Sequence, residues 1–162
     1  MQIEAIETKY KGYRFRSRLE AKWAVFFDAF NWKWQYEPEG YKMEYKGKII
    51  YYLPDFWLPD LKQFVEIKGG KISANDNIKI KALAFTSNYP VILLGNIPEK
   101  NELHDGFYGF YKNEDTIKEQ KLSGEDAVQY CWYDPAYNCQ DKYKAAIEKA
   151  RQAQFEHGAN GK

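Results

Sequence analysis

The residues from Tyr52 to Gly70, YLPDFWLPDLKQFVEIKGG, constrain this chain more than any other stretch. They read as two short strands joined at Pro59-Asp60-Leu61-Lys62, which has the residues of a two-residue hairpin loop or a type I turn. With Asp60 and Leu61 at the tip, antiparallel pairing sets Pro59 opposite Lys62, Trp57 opposite Phe64 and Asp55 opposite Glu66. Opposed residues share a face, with Cβ atoms roughly 5 Å apart. Lys68, two residues beyond Glu66, projects on that face too. The other face carries Phe56, Leu58, Val65 and Ile67 and suits a core. The pattern therefore predicts that Asp55, Glu66 and Lys68 gather on one side of an otherwise apolar hairpin. Two carboxylates that close repel unless something positive lies between them. A divalent cation held by hard oxygen ligands answers that need. A structural salt bridge from Lys68 to Asp55 or Glu66 is the competing explanation.

The 162 residues suffice for one domain with a sizeable core. Aromatic residues reach 18% and charged ones 29%, interleaved with apolar positions, which marks a globular chain and excludes a disordered one. No apolar run approaches membrane-spanning length and no apolar segment follows a basic start, so neither a membrane partner nor a secretory signal is expected. Cys131 and Cys139 fit a reducing cytoplasm better than a disulfide scaffold. A net charge of +1 gives no general support to nucleic-acid binding. The local distribution does: Lys9, Lys11, Arg14, Arg16, Arg18 and Lys22 stand against Glu20 alone, and Lys68, Lys71, Lys79 and Lys81 form a second basic group. Arg14, Arg16 and Arg18 are candidate phosphate contacts, with Arg16 and Arg18 pointing the same way if that stretch is extended. Solvated surface positions are the plainer reading of each.

In chain order, Ser17 reads as a helix N-cap with Glu20 three residues on, a capping box. Leu19, Trp23, Phe26, Phe27 and Phe30 then recur at helical spacing, predicting a helix over 18–30 with an aromatic core stripe, ended by Asn31. Strands are expected over 32–37, 41–45 and 48–53, the last two as a hairpin around Lys46-Gly47. The central hairpin follows. A helix capped by Ser73 or Asn75 should run to about Ser87 with Ile78, Ala82 and Phe85 on one side. Tyr89 to Gly95 has the continuous apolar character of a buried strand. Residues 96–106 read as loop, 107–111 as a short aromatic strand, 112–125 as polar, and 125–130 as a short strand or helix. Residues 141–156 form a charged, alanine-rich helix on the outside. The whole is an α/β or α+β domain around a central mixed β-sheet flanked by helices.

Glu-x-Lys alone carries no signal, since it also occurs at Glu7/Lys9, Glu20/Lys22, Glu44/Lys46 and Glu119/Lys121. Only Glu66/Lys68 lies in an apolar strand with Pro54-Asp55 on the strand that pairs with it. Pro54-Asp55 followed by Glu66-Ile67-Lys68 resembles the PD-(D/E)xK motif of the restriction-endonuclease-like nuclease superfamily, and Glu20 resembles its helix glutamate. The runs YRFRSRLEAKWAVFFDAF, YLPDFWLP, FVEIKGG and ARQAQFEHG are also similar to phage and prophage proteins of that superfamily. The resemblance covers residues 10 to 95 well and the C-terminal helix more weakly. It implies a single nuclease-like domain over 1–162, with its core at about 10–95 and a C-terminal extension over 96–162.

It further implies a Mg2+- or Mn2+-dependent endonuclease that hydrolyses phosphodiester bonds in duplex or branched DNA, a four-way junction among them. The host compartment would be bacterial cytoplasm, and a homodimer is open. In that reading Asp55, Glu66 and the main-chain carbonyl of Ile67 ligate the metal. Lys68 orients the attacking water and steadies phosphate charge. Glu20 holds a second metal or its water, with the capping box as the alternative for that side chain. Arg14, Arg16, Arg18 and Lys71 would contact nucleic acid. The alternative function is a nucleic-acid-binding protein of the same fold whose site is not used for hydrolysis. A zinc site from Cys131, Cys139, His104 and His157 lacks the spacing of a knuckle or ribbon, and no Gly-rich phosphate loop or GxSxG turn occurs.

Overall fold

The computed structural model describes residues 7–98, 107–122 and 139–155. It opens with β1 (Thr8–Tyr10) and β2 (Tyr13–Phe15), followed by α1 (Arg18–Ala29), β3 (Gln35–Tyr36), β4 (Tyr41–Tyr45), β5 (Lys48–Tyr52), β6 (Phe56–Leu58) and β7 (Gln63–Ile67). Then come α2 (Ala74–Ser87), β8 (Val91–Leu94), β9 (Phe107–Asn113), β10 (Thr116–Leu122) and a terminal helix α3 (Cys139–Gln152). Six strands make the main sheet in the order β10-β9-β8-β7-β6-β3, while β1–β2 and β4–β5 form separate hairpins. Within the main sheet β7 and β8 are parallel and the other neighbours antiparallel. The class is therefore mixed α+β, with a central mixed sheet and helices against it.

Period-two alternation divides β7 and β8 between two cores. Val65, Ile67, Ile92 and Leu94 join Phe56 and Leu58 under α1. Phe64, Val91, Leu93 and Phe110 face α2 and the β4–β5 hairpin. The central hairpin is thus covered on both sides, and every residue of β7 is buried, where the sequence pattern gives one apolar face and one charged face. The expected aromatic stripe of α1 is present: Trp23, Phe26, Phe27 and Phe30 are buried, and Asn31 adopts a positive φ of 64° as the helix ends.

Several elements differ from expectation. The strand over 32–37 shrinks to two residues, because Trp32 turns inward onto Phe27 and Phe30. Helix α2 is capped by Ser73 through a capping box with Asp76, and it buries Ile80, Leu83 and Ala84 together with Ala82 of the expected stripe. Of the expected stripe only Ile78 is exposed, because the buried face is centred on Ile80 to Ala84 and Ile78 falls at its margin. Strand β10 stands where a merely polar stretch is expected. Of its residues only Ile117 is recorded in the adjacent core, so its alternation is faint, and its lysines suit an uncovered sheet edge. Helix α3 begins and ends earlier than 141–156 and does not lie outside: Tyr143, Ala146, Ile147 and Ala150 are buried in the same core as α1. The small side chains of Ala146 and Ala150, four residues apart, lie on the face that meets α1. The expectations for 99–106 and 125–130, and Cys131, His104 and His157, fall outside the described residues.

Candidate active site

The hairpin register is the expected one where strands pair, with Trp57 opposite Phe64, and Leu58 meets Gln63 before a turn over Pro59–Lys62. Lys62 takes a positive φ of 54° in that turn. At the far end the ladder stops at Phe56, one residue short of Asp55. The Asp55 side chain takes over there: its Oδ2 accepts the Ile67 N–H at 2.8 Å, while its own carbonyl accepts the Glu37 N–H at 2.8 Å. Asp55 is thereby fixed against β7, beside Glu66.

Glu66 is 7% exposed and accepts a hydrogen bond from the Tyr52 hydroxyl at the end of β5. Glu20 enters from the first turn of α1, 6% exposed. Its Oε2 accepts from the Ser17 hydroxyl at 2.8 Å and its Oε1 from the Tyr36 hydroxyl at 3.2 Å. Ser17 Oγ in turn accepts the Glu20 N–H at 3.2 Å, which is half of the expected capping box. The other half is replaced: the Glu20 carboxylate bonds to side chains, and is turned toward Tyr36 on the sheet.

The charges act on one another. Asp55 is held well above the usual carboxylate range, first by burial and then by the charges of Glu66 and Glu20, with the Ile67 amide opposing. Glu66 is also raised by burial, against the Tyr52 hydrogen bond and the Lys68 charge. Burial, then Glu66, push the Tyr52 phenol far up, and burial followed by carboxylate charges does the same for Tyr36 after its Arg16 contact is counted. Both phenols therefore remain hydrogen-bond donors throughout the ordinary pH range.

Lys68 follows β7, where its N–H donates to the Leu94 carbonyl at 2.9 Å. Its ammonium pairs with Asp76 of α2 at 3.5 Å, not with Asp55 or Glu66 as a hairpin salt bridge would have it. Burial tends to raise the Asp76 pKa, but Ser73 hydrogen bonds and Lys68 outweigh it and leave it lowered. Three participants lie outside the sequence-derived set: Tyr36, Tyr52 and Asp76. The Ser73-x-x-Asp76 capping pattern was a readable sign of the last. The two tyrosines depend on contacts between distant strands, which no local pattern reveals.

The basic residues divide. Arg16 does not continue an extended run to Arg18, because β2 ends at Phe15 and Arg18 opens α1. Arg14 Nε pairs with Glu7 at 2.8 Å, Arg16 Nε with Glu37 at 2.6 Å, and both arginines are more than half exposed. Such surface pairs contribute about 0–1 kcal/mol, so a phosphate can displace them. The Arg18 Nε is buried without a hydrogen-bond partner. Lys71 is exposed beside Gly70.

The donor chemistry at the hairpin end fits a hard divalent cation: three carboxylates converge, and Asp55 has two of them as its strongest charged neighbours. As placed, they do not close a ligand shell; no group of three or more His, Cys, Asp or Glu among the described residues is arranged to hold a metal. Each carboxylate instead holds neutral donors, which a cation would have to displace in part. No protein-family model matches the chain, and neither curated proteins nor solved structures give a significant match. No helix among the described residues is long and apolar enough to cross a membrane.

Proposed function

We propose that this protein is a metal-dependent endonuclease that hydrolyses phosphodiester bonds in DNA. The observation that carries the reading is where three carboxylates sit at the end of the central hairpin: Asp55 is bonded to the Ile67 amide beside buried Glu66, buried Glu20 is held by Tyr36 of the strand next to Phe56, and Lys68 lies two residues beyond Glu66. Gathering acidic side chains in a largely buried place is costly, and a cation that phosphodiester chemistry also needs would offset the cost.

In this reading Asp55, Glu66 and the Ile67 carbonyl would hold Mg2+ or Mn2+, with Glu20 as a further ligand or as the acceptor of a water proton. The ion, when bound, would lower the pKa of a water and screen the phosphate. The chain's own contributions are positional. The Ile67 amide fixes Asp55, the Tyr52 hydroxyl orients Glu66, and Ser17 with Tyr36 aim Glu20. Asp76 steers the Lys68 ammonium, whose charge would steady the phosphate oxygens as negative charge builds on them. Arg14, Arg16, Arg18 and Lys71 would contact the backbone nearby.

One observation favours a second reading, a nucleic-acid-binding protein of this fold without hydrolysis: Glu66 and Lys68 already have partners in Tyr52 and Asp76. Incubating the protein with supercoiled plasmid, linear duplex and a four-way junction in Mg2+, Mn2+ or EDTA separates the two. Cutting that needs metal and disappears in Lys68→Ala supports the nuclease. Tight binding indifferent to EDTA, without cutting, supports the second reading.

A further inference from the structure

A cleft of about 770 Å³ opens beside Lys68, within the roughly 300–1,000 Å³ usual for small-ligand sites. Its position follows from topology. Strands β7 and β8 are parallel and joined through α2, so their carboxyl ends emerge side by side. The crevice outside such ends is where open sheets with parallel strands receive ligands. Here the loop after β7 supplies Lys68 to Lys71, and the loop after β8 supplies Gly95 to Pro98. The Asn96 side-chain amide ties the loops by donating to the Gly69 carbonyl at 3.2 Å. Gly69 is needed for that approach, since a Cβ there would come within 3.1 Å of Asn96 Oδ1 and 3.2 Å of Leu19. Gly70, which also lines the cleft, is different: a Cβ there meets nothing within 4 Å.

The lining has two chemistries. Lys68 and Lys71 offer positive charge at one part of the rim, next to the proposed catalytic carboxylates, while Leu93, Ile97 and Tyr108 offer apolar and aromatic surface. Asn77 can both donate and accept hydrogen bonds, and Glu119 can accept from an exocyclic amine but would repel a phosphate. A phosphate belongs at the lysines and a planar, polar-edged ring at the rest. We propose that this cleft is a subsite for one unpaired nucleotide, so that the substrate carries single-stranded residues next to the bond that is cut. A base stacked in a duplex keeps both faces covered and cannot present one to a concave wall; an unpaired one can. The inference rests on the nuclease reading for its second half only, since nucleotide capture does not require hydrolysis.

The test is fluorescence anisotropy in EDTA with a short labelled single-stranded oligonucleotide and a blunt hairpin duplex of matching composition. It uses the full-length protein, Gly70→Leu, Lys71→Glu and Asp55→Asn. Gly70→Leu adds an apolar side chain at a lining residue with room for it, and its melting curve checks the fold. Single-strand affinity should fall about tenfold in Gly70→Leu, the size of one lost base-stacking contact, with duplex affinity unchanged. Lys71→Glu should weaken the single strand and reduce the salt dependence, and serves should Gly70→Leu not fold. Unchanged single-strand binding in both cleft variants overturns the subsite. Metal-dependent cutting that treats blunt duplex and single-stranded flaps alike, and is indifferent to Gly70→Leu, overturns it while leaving the nuclease reading intact. Loss of single-strand binding in Gly70→Leu, with no cutting by any form of the protein, upholds the subsite and removes the nuclease.

Discussion

Two of the hairpins that carry a Glu-x-Lys pattern, β4–β5 and β6–β7, give it opposite outcomes. Glu44-Tyr45-Lys46 ends β4: Glu44 is exposed, and Lys46 sits in the turn with φ 50° and its ammonium over the Tyr45 ring. Glu66-Ile67-Lys68 ends β7: Glu66 is buried, bonded to Tyr52, and raised in pKa by burial. The letters agree, but the depth does not. The β4–β5 hairpin covers α2 with one face and leaves Ile49 and Tyr51 on the other, 60% and 67% exposed, so any carboxylate there is solvated. Strand β7 lies inside a six-stranded sheet with helices on both faces. The charges at its end are kept by partners, Tyr52 for Glu66 and Asp76 for Lys68.

The comparison is tested most severely by activity. On the nuclease reading, Asp55→Asn and Lys68→Ala should each lower metal-supported cleavage by about a hundredfold or more, while Glu44→Gln and Lys46→Ala leave it unchanged. Plasmid-nicking rates measured side by side check this, and equal losses from both hairpins would erase the distinction.

The next effect is on stability. Tyr52→Phe strands a buried carboxylate and should cost about 1.5–3 kcal/mol, the range for hydrogen bonds to charged groups. Tyr51→Phe, on the solvated side of the same strand, should stay within about 0.5 kcal/mol. Urea denaturation at neutral pH gives both values.

The pH profile follows with smaller amplitude. Asp55 binds its proton more tightly folded than unfolded, so its contribution is fully present below its ordinary value of 3.8 and is lost as pH rises through the raised folded value. Asp76 behaves oppositely: its lowered pKa gives stability present above 3.8 and lost as pH falls through the folded value. Melting temperatures across pH should therefore show a flatter neutral-side decline in Asp55→Asn and a flatter acid limb in Asp76→Asn. The smallest effect belongs to the surface pairs. Arg14→Ala with Arg16→Ala should change stability by less than about 0.5 kcal/mol, yet reduce DNA affinity at low salt and much less at high salt, as a salt titration would show.

What could be read beforehand divides along the same physical line. The central hairpin, α1 and the β4–β5 turn were legible because local rules fix them: Trp57 faces Phe64 through turn length, Ser17 caps through its hydroxyl, and Lys46-Gly47 both take the positive φ of a tight turn. So was the gathering of Asp55 and Glu66 at one strand end. The long-range contacts were not. Burial of α3 depends on Ala146 and Ala150 meeting α1, and small residues look the same on an exposed helix as at a close crossing. Strand β10 is an edge strand with scarcely any apolar signal of its own. The Tyr52–Glu66 and Lys68–Asp76 pairs join elements that only the folded sheet brings together.

We propose that the carboxylates at the end of β7 form a cation site, whereas the matching Glu-x-Lys on β4 does not. Calorimetric titration with Mn2+ measures this directly, without substrate, on the wild-type protein, the Asp55→Asn/Glu66→Gln double variant and Glu44→Gln. Saturable binding is expected in the wild type and in Glu44→Gln, lost in the double variant, with a matching rise in melting temperature only where binding occurs. Mn2+ binding that survives the double variant, or none in the wild type, would contradict it.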